Sequence, residues 1–256
     1  MAGSDSGGGA GIQADARTIH ALGAFAATAI TAVTAQNSLA VRAWRPVPAE
    51  LVAAQMEAVL EDIPVCAVKI GLLPAGAIRT VADVLMRWPR IPVVLDPVLG
   101  STSGTRFLTA SGLLALSREL LPLATLVTPN WSEAAALTGL PVASDTHAEA
   151  AARRLVANGC RAALVKGGHG RGRLARDCLA TAGGRVRWFG SRRIESANTH
   201  GTGCVLSAAI AVRLARGAAL TEAIAYARRF LVGSLIRNCG RRLGQGPGPA
   251  FPGGST

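Results

Sequence analysis

Short apolar runs alternate with segments of helical period along nearly the whole chain, and that alternation leaves few folds open. A β-branched and alanine run at 26–33 is followed by a helical pattern at 51–60. Strand-like runs at 65–70, 91–95, 125–127 and 162–165 are interleaved with helical patterns at 78–88, 113–121, 133–137 and 148–158. Two further runs, 174–180 and 185–189, flank Gly183-Gly184 and read as an antiparallel hairpin. Helical patterns at 204–215 and 220–236 close the series. Alternating strands and helices predict a mostly parallel sheet with helices on both faces. With 256 residues, half of them hydrophobic, the chain can fill one large α/β core, and no repeat or linker divides it. We therefore expect a single domain over 1–256, with the Gly- and Pro-rich stretch 244–256 as an irregular tail.

Several function classes lose support. No apolar run reaches membrane-spanning length, and no charged-then-apolar leader opens the chain. The net charge of +12 invites a nucleic-acid reading, but the basic residues are dispersed and few aromatics interleave with them. Nearly all are arginine, and Lys69 and Lys166 are the two lysines. The five cysteines are scattered without a C-x-x-C pair, which fits a reducing cytoplasm rather than zinc or redox chemistry.

Two glycine-rich stretches point to chemistry. In Asn198-Thr199-His200-Gly201-Thr202-Gly203-Cys204, small residues sit where a loop becomes a helix. A helix start offers unpaired N–H groups and the positive end of the macrodipole, so the segment reads as an anion hole or, blandly, as a Gly-rich cap. Cys204 falls in the first helical turn, where a thiolate is stabilised. The second stretch, Gly3-Ser4-Asp5-Ser6-Gly7-Gly8-Gly9-Ala10-Gly11, runs into a helix at 12–22. It is neither a Walker A loop nor a dinucleotide fingerprint, because no G-K-[ST] follows and no strand is evident before it. Its glycine density fits backbone wrapped around a small polar ligand, with Asp15 in the first helical turn; the bland alternative is a flexible terminus before a helix.

Ligands of such sheets bind beyond the carboxyl ends of the strands. Asp96-Pro97, Asn130 and Lys166 each end a strand-like run, and Gln36 follows another. Asn130 and Glu133 stand three apart, which suits either a phosphate and metal site or a capping box.

In this order and spacing, Ala2 to Asp15, Thr34-Ala35-Gln36-Asn37, Lys69-Ile70-Gly71-Leu72, Leu95-Asp96-Pro97-Val98, Thr128-Pro129-Asn130, Glu133-Ala134, Lys166-Gly167-Gly168-His169 and Asn198 to Cys204 carry a resemblance. The chain resembles the hydroxymethylpyrimidine and phosphomethylpyrimidine kinases of thiamine biosynthesis, in the ribokinase-like superfamily. The resemblance implies an α/β three-layer sandwich, ribokinase-like, with ATP as co-substrate and Mg²⁺ as cofactor. It implies phosphorylation of 4-amino-5-hydroxymethyl-2-methylpyrimidine and then of its monophosphate to the diphosphate. The alternatives are a pyridoxal or pyridoxine kinase, or a non-catalytic ligand-binding relative. It places Gly3, Asp15, Gln36 and Leu72 at the pyrimidine; Asn130, Lys166 and Thr202 at ATP; and Asp96 and Glu133 at the metal. It places Gly201, Thr202, Gly203 and Cys204 at the transferring phosphoryl, with Cys204, at a lowered pKa, as base for the alcohol. His200 is expected to hold the loop. The implied setting is cytoplasmic, with small-molecule partners, no nucleic acid and no membrane; a homodimer is also admitted.

The chain departs from the family in four places. Thr102 stands where the flap usually carries a lysine, Leu72 where methionine is common, and the segment 246–249 lacks a following histidine. Only Met1-Ala2 remains of the apolar strand that usually leads into the first glycine cluster. We therefore expect a truncated first strand, an empty sheet slot, and a sequence that starts late.

Overall fold

A computed structural model describes residues 1–101, 104–168, 170 and 172–250; Thr102 of the flap and His169 lie outside the described residues. In chain order the elements are β1 (Ala2–Asp5), α1 (Gly11–Ala21), β2 (Ile30–Gln36), β3 (Val41–Pro46), α2 (Ala49–Asp62), β4 (Val68–Ile70), α3 (Ile78–Met86), β5 (Val93–Leu95) and α4 (Ala110–Ala115). There follow β6 (Leu126–Val127), α5 (Trp131–Thr138), α6 (Asp145–Ala157), β7 (Ala162–Val165), β8 (Leu174–Thr181), β9 (Val186–Arg192), α7 (Thr202–Ala215) and α8 (Leu220–Asn238).

The strands β4-β5-β6-β7-β8-β9 form one sheet in that order, parallel from β4 to β7 and antiparallel from β7 to β9. β1 pairs parallel with β2, which pairs antiparallel with β3. Met1 ties this smaller sheet to the larger one. Its amino group donates to Lys69 O at 2.6 Å, and its carbonyl accepts from Gly71 N at 2.9 Å.

The inner strands are apolar on both faces, as a covered parallel sheet requires. Val93 and Leu95 join a core with α2, α3 and α6, whereas Val94 between them joins a core with α7 and α8. Leu164 faces the α7 side and its neighbours Ala163 and Val165 the other. Strict alternation of buried residues thus builds three layers from the period of the strand alone. Among the described residues no helix is long and apolar enough to cross a membrane. The five cysteines are free.

Three expectations need correction. The first glycine cluster is not all loop: its opening residues lie in β1, a short strand stabilised by pairing with β2 on one side and by the Met1 bonds on the other. Asp15 is not in the first turn of its helix, since Gly11 opens α1 and no acid lies in that turn. The predicted helix at 113–121 is α4 continued by a π-helical turn, Leu116–Leu120. The described part of the tail, 244–250, is irregular as expected, and it is tied down: Ala250 N donates to His200 O at 2.8 Å and His200 N to Gly248 O at 3.0 Å. The hairpin strand β3 was not evident in sequence because it is half exposed and carries arginines at 42 and 45. Beside Met1, the segments before β2 and β4 line a groove of about 480 Å³ with α1, α2 and α7.

Candidate active site

The carboxyl ends of β4, β5, β6 and β7 converge on the amino terminus of α7. Asp96, one residue past β5, is 2 % exposed and accepts a bond of 2.7 Å at Oδ1 from Lys166 Nζ. Thr128 Oγ1 donates to the same oxygen at 3.2 Å. Burial alone would raise the Asp96 pKa, but Lys166 and Lys69 outweigh it and hold the carboxyl below its ordinary value. Lys166 is raised correspondingly: burial opposes its charge, and Asp96 and Glu133 overcome that.

The first turn of α7 lies directly on this pair. A Cβ at Gly203 would stand 3.1 Å from Lys166 Nζ and 3.2 Å from Asp96 Oδ2, so glycine lets the backbone lie this close without crowding the pair. Gly201 is the N-cap, at φ 79°, and its Cβ would meet Gly9 O at 2.1 Å. No side chain caps α7. Thr202 N makes only a long bond of 3.4 Å to Thr199 O, so the start of α7 presents N–H groups to an anion next to a lysine.

The other glycine cluster behaves differently. Its N–H groups converge on Asp5, whose Oδ1 accepts from Gly7 N at 2.8 Å and whose Oδ2 accepts from Ala10 N at 2.9 Å and Gly9 N at 3.1 Å. His200 Nε2 lies 2.9 Å from Oδ2. Burial pushes the Asp5 carboxyl up, but the His200 bond and the loop amides bring it below its usual value. The backbone here is wrapped around the protein's own carboxylate rather than left open for a ligand. His200 holds the loop, as expected of it.

Gln36 joins the two clusters. Its N accepts no proton but donates to Ser6 Oγ at 2.8 Å, and its side-chain amide reaches within 3.3 Å of His200 Nε2. Asp15 sits deeper. Both its oxygens accept from Lys69 Nζ at 2.7 Å, and the pair is sealed from solvent. Gly3 and Leu72 abut, and a Cβ on Gly3 would collide with Leu72 Cδ2.

Asn130 and Glu133 form the capping box of α5: Glu133 N donates to Asn130 Oδ1 at 2.9 Å, and Asn130 N to Glu133 Oε2 at 2.7 Å. Asn130 also bridges to Lys166. Burial drives the Glu133 carboxyl up to about 7, with Lys166 pulling down and Asp96 pushing up. The cap explains the N-x-x-E spacing locally and still leaves Glu133 in the electrostatic field of Asp96 and Lys166.

Cys204 overturns one expectation. Its thiol is 8 % exposed, and burial raises its pKa to about 11, against the pull of Lys69 and with Asp15 and Asp96 adding to the rise. The helix start does not offset the loss of water, so the free protein holds a neutral thiol.

Two residues that sequence reasoning passed over shape the site. Lys69, quoted only as part of a motif, neutralises Asp15 and bears on both Asp96 and Cys204. Asp177 on β8 accepts from Gly167 N at 2.8 Å and is paired with Arg228, fixing the loop after Lys166. A lone acid in a hairpin strand carries no signal, but an acid on the inward face of a buried strand does.

A basic helix start over a buried Lys–Asp pair at a parallel-sheet edge is suited to phosphoryl transfer. The family model described as phosphomethylpyrimidine kinase matches residues 5–250. The chain belongs to the phosphomethylpyrimidine kinase family. Over 252 residues it is 48 % identical to the hydroxymethylpyrimidine/phosphomethylpyrimidine kinase of Rhizobium meliloti (strain 1021), covering 97 % of this chain and 94 % of that protein. Among solved structures, phosphomethylpyrimidine kinase from Clostridium difficile 630 is similar with a TM-score of 0.79 and 35 % identity, over 91 % of this chain and 96 % of that one. Pyridoxal kinase from Staphylococcus aureus in complex with AMP-PCP and pyridoxal is similar with a TM-score of 0.85 and 30 % identity, over 97 % and 90 %. The ribokinase-like fold expected from sequence is thereby established, and the chain is a kinase of this family.

Proposed function

We propose that the chain transfers the γ-phosphoryl group of ATP first to the hydroxymethyl oxygen of 4-amino-5-hydroxymethyl-2-methylpyrimidine and then to a phosphate oxygen of the monophosphate, yielding the diphosphate used for thiamine diphosphate. The observation that carries this reading is the uncapped start of α7 set against Lys166 and Asp96, in a chain of this family. The substrate oxygen attacks phosphorus, the bond to ADP breaks, and the α7 amides and Lys166 take up the charge on the transferring group. Asn130, Lys166 and Thr202 face ATP in this scheme. Gln36 reads the amide-like edge of the pyrimidine, while Gly3 and Leu72 wall it.

Asp15 serves the pyrimidine pocket through Lys69, because that lysine already occupies both carboxylate oxygens. Asp96 and Glu133 supply two acidic side chains toward Mg²⁺. The described residues hold no group of three or more metal-binding side chains, which suits an ion that keeps its waters and shares the nucleotide phosphates. Mg²⁺ would neutralise phosphate charge during transfer. The setting is the cytoplasm, with ATP and the aminopyrimidine as partners.

The two steps differ in one proton. The alcohol must lose one, whereas the monophosphate is already anionic. Cys204 at the α7 start is our candidate acceptor, and with its pKa raised to about 11 the thiolate is scarce at neutrality. Turnover of the alcohol should therefore climb steadily from pH 6 to pH 9, while that of the monophosphate stays flat. Cys204→Ala should flatten the alcohol profile and leave the monophosphate rate within about twofold. Equal losses on both substrates would make Cys204 a shape-holding residue only.

A second reading, pyridoxal kinase, draws on the similarity to the pyridoxal-bound structure. ATP consumption with the pyrimidine, its monophosphate and pyridoxal decides between them. Preference for pyridoxal would displace the pyrimidine reading.

A further inference from the structure

We propose that Arg193 is a positioning residue for ATP: its guanidinium holds the glycine-rich stretch after Lys166 in the shape that receives the nucleotide. The inference rests on the reading above in which Lys166 faces ATP.

Gly167, Gly168, Gly170 and Gly172 follow Lys166 in the connection from β7 to β8. Glycine loses more backbone freedom on ordering than any other residue, so such a stretch does not keep one shape unaided. Arg193 stands one residue past β9. Its Nε donates to Gly172 O at 3.0 Å, its Nη2 to Gly170 O at 2.6 Å, and its Nη1 to Gly168 O. All three nitrogens of one planar fork are thus spent on carbonyls of this stretch. Arg193 N adds a bond of 2.8 Å to Arg173 O. Among the described residues no carboxylate is paired with Arg193, so the carbonyl dipoles are what meets its charge. The arrangement is the inverse of the Asp5 loop: there amides close on an anion, here carbonyls close on a cation.

The held stretch begins at the site. Gly167 N donates to Asp177 Oδ1 at 2.8 Å, and a Cβ at Gly167 would meet Arg176 O at 1.9 Å, so this residue is pressed onto β8. Gly170 N donates to Gly167 O at 3.0 Å, and Gly170 lies against the ring of Trp131, the first residue of α5. Lys166, immediately upstream, is bonded to Asp96 and lies beside Gly203. Beyond Arg193 the chain runs on to Gly201, the N-cap of α7. Arg193 therefore ties together the two segments that flank the ATP phosphates: the stretch after Lys166 and the approach to α7. Without it, three carbonyls stay gathered around no cation, and the stretch opens. ATP must then order the glycines as it binds, which weakens affinity and leaves the geometry of the bound, reacting state as it was. The core is not involved, because β9 is the last strand of the sheet and Arg193 lies past its end.

The test compares the parent chain with Arg193→Ala and with Arg193→Lys, which keeps the charge and loses the fork. Kd for Mg·ATP is measured by calorimetry without pyrimidine, and turnover is followed with each substrate varied. Arg193→Ala should raise Kd and KM for Mg·ATP about tenfold, the scale of losing charge-assisted hydrogen bonds, while kcat and KM for the pyrimidine stay within about twofold. Guanidinium chloride at tens of millimolar, far below denaturing levels, should return Kd in Arg193→Ala to within about threefold of the parent, and sodium chloride at equal ionic strength should not. Arg193→Lys should show the same split between KM and kcat, and it carries the comparison if Arg193→Ala does not fold. Unchanged Kd in the variants of a parent that binds Mg·ATP would overturn this proposal alone. Parental affinity in Arg193→Lys would overturn it as well, since charge without the fork would then suffice. So would a fall in kcat and Tm without rescue by guanidinium, the mark of a structural residue. A parent that does not bind Mg·ATP would remove the ATP reading and this inference together.

Discussion

The two glycine-rich loops touch each other, yet they do opposite things with their amides. Gly9 O lies against Gly201, and His200 bridges from the second loop to Asp5 of the first. In the first loop the amides of Gly7, Gly9 and Ala10 close on the protein's own carboxylate. In the second, the α7 start has no capping side chain and faces Lys166. Glycine density therefore marks a backbone that converges on an anion; whether that anion is internal or a ligand depends on an acid at the right offset. Asp5, two residues before Gly7, answers for the first loop, and nothing answers for the second.

The largest effect should come from removing the internal anion. Asp5→Ala leaves three loop amides and His200 without their shared acceptor. Breaking a buried charged cluster from one side costs about 3–5 kcal/mol, so Tm should fall by well over 5 °C. Added formate should restore part of it by refilling the nest. The pH dependence has a definite sign. The Asp5 carboxyl is held below its usual value of 3.8, so its contribution is present above that pH and fades as pH falls through the folded-state value. Asp5→Asn should weaken this acid limb. Formate without effect would mean that the loop is not an anion nest.

The matching change in the second loop should spare stability and strike turnover. Gly203→Ala puts a methyl group 3.1 Å from Lys166 Nζ and 3.2 Å from Asp96 Oδ2, crowding both, while alanine is well tolerated in a helix. We expect kcat to drop about 100-fold, the scale of losing one preorganised donor to a developing charge. A normal kcat with a lowered Tm would invert the comparison and make the α7 start a structural cap.

Sequence carried the fold well because inner parallel strands are read from composition. The buried runs at β5, β6 and β7 leave no other assignment. It carried the site only partly. Asp96, Asn130, Lys166 and the α7 start lie at one sheet edge, as their positions after strands implied. The partner of each charge was hidden, because pairs such as Asp15 with Lys69 and Asp5 with His200 are 54 and 195 residues apart. Without those partners a buried Cys204 looks activated by its helix, and Asp15 looks free to meet a substrate. Desolvation and long-range ion pairs, neither of which has a local signature, decide both.

Gln36 stands between the loops and should report on both at a smaller scale. Gln36→Ala removes the amide that approaches His200 and keeps the backbone bond to Ser6. Losing one hydrogen bond to a desolvated partner costs about 1–3 kcal/mol, so KM for the pyrimidine should rise about tenfold while KM for ATP holds. A rise confined to ATP would assign Gln36 to the phosphate side.

The smallest effect concerns Glu133, where capping and electrostatics can be separated. Its carboxyl is raised to about 7, chiefly by burial, and Asp96 adds to the rise. The folded chain keeps a proton that the unfolded chain releases near 4.5, so this group's contribution to stability falls as pH rises from about 4.5 to about 7. Binding of Mg·ATP favours the ionised form, so KM for Mg·ATP should increase as pH drops below 7, by at most about tenfold per unit. Glu133→Gln retains a residue that can close the capping box with Asn130 and removes the titration. The variant should match the parent's Tm near pH 4.5 and gain stability relative to it as pH rises to 7 and above. Its KM for Mg·ATP should be higher but flat across this range. If the parent KM is flat as well, Glu133 acts only as the cap of α5, and the metal must be organised from Asp96 and the nucleotide.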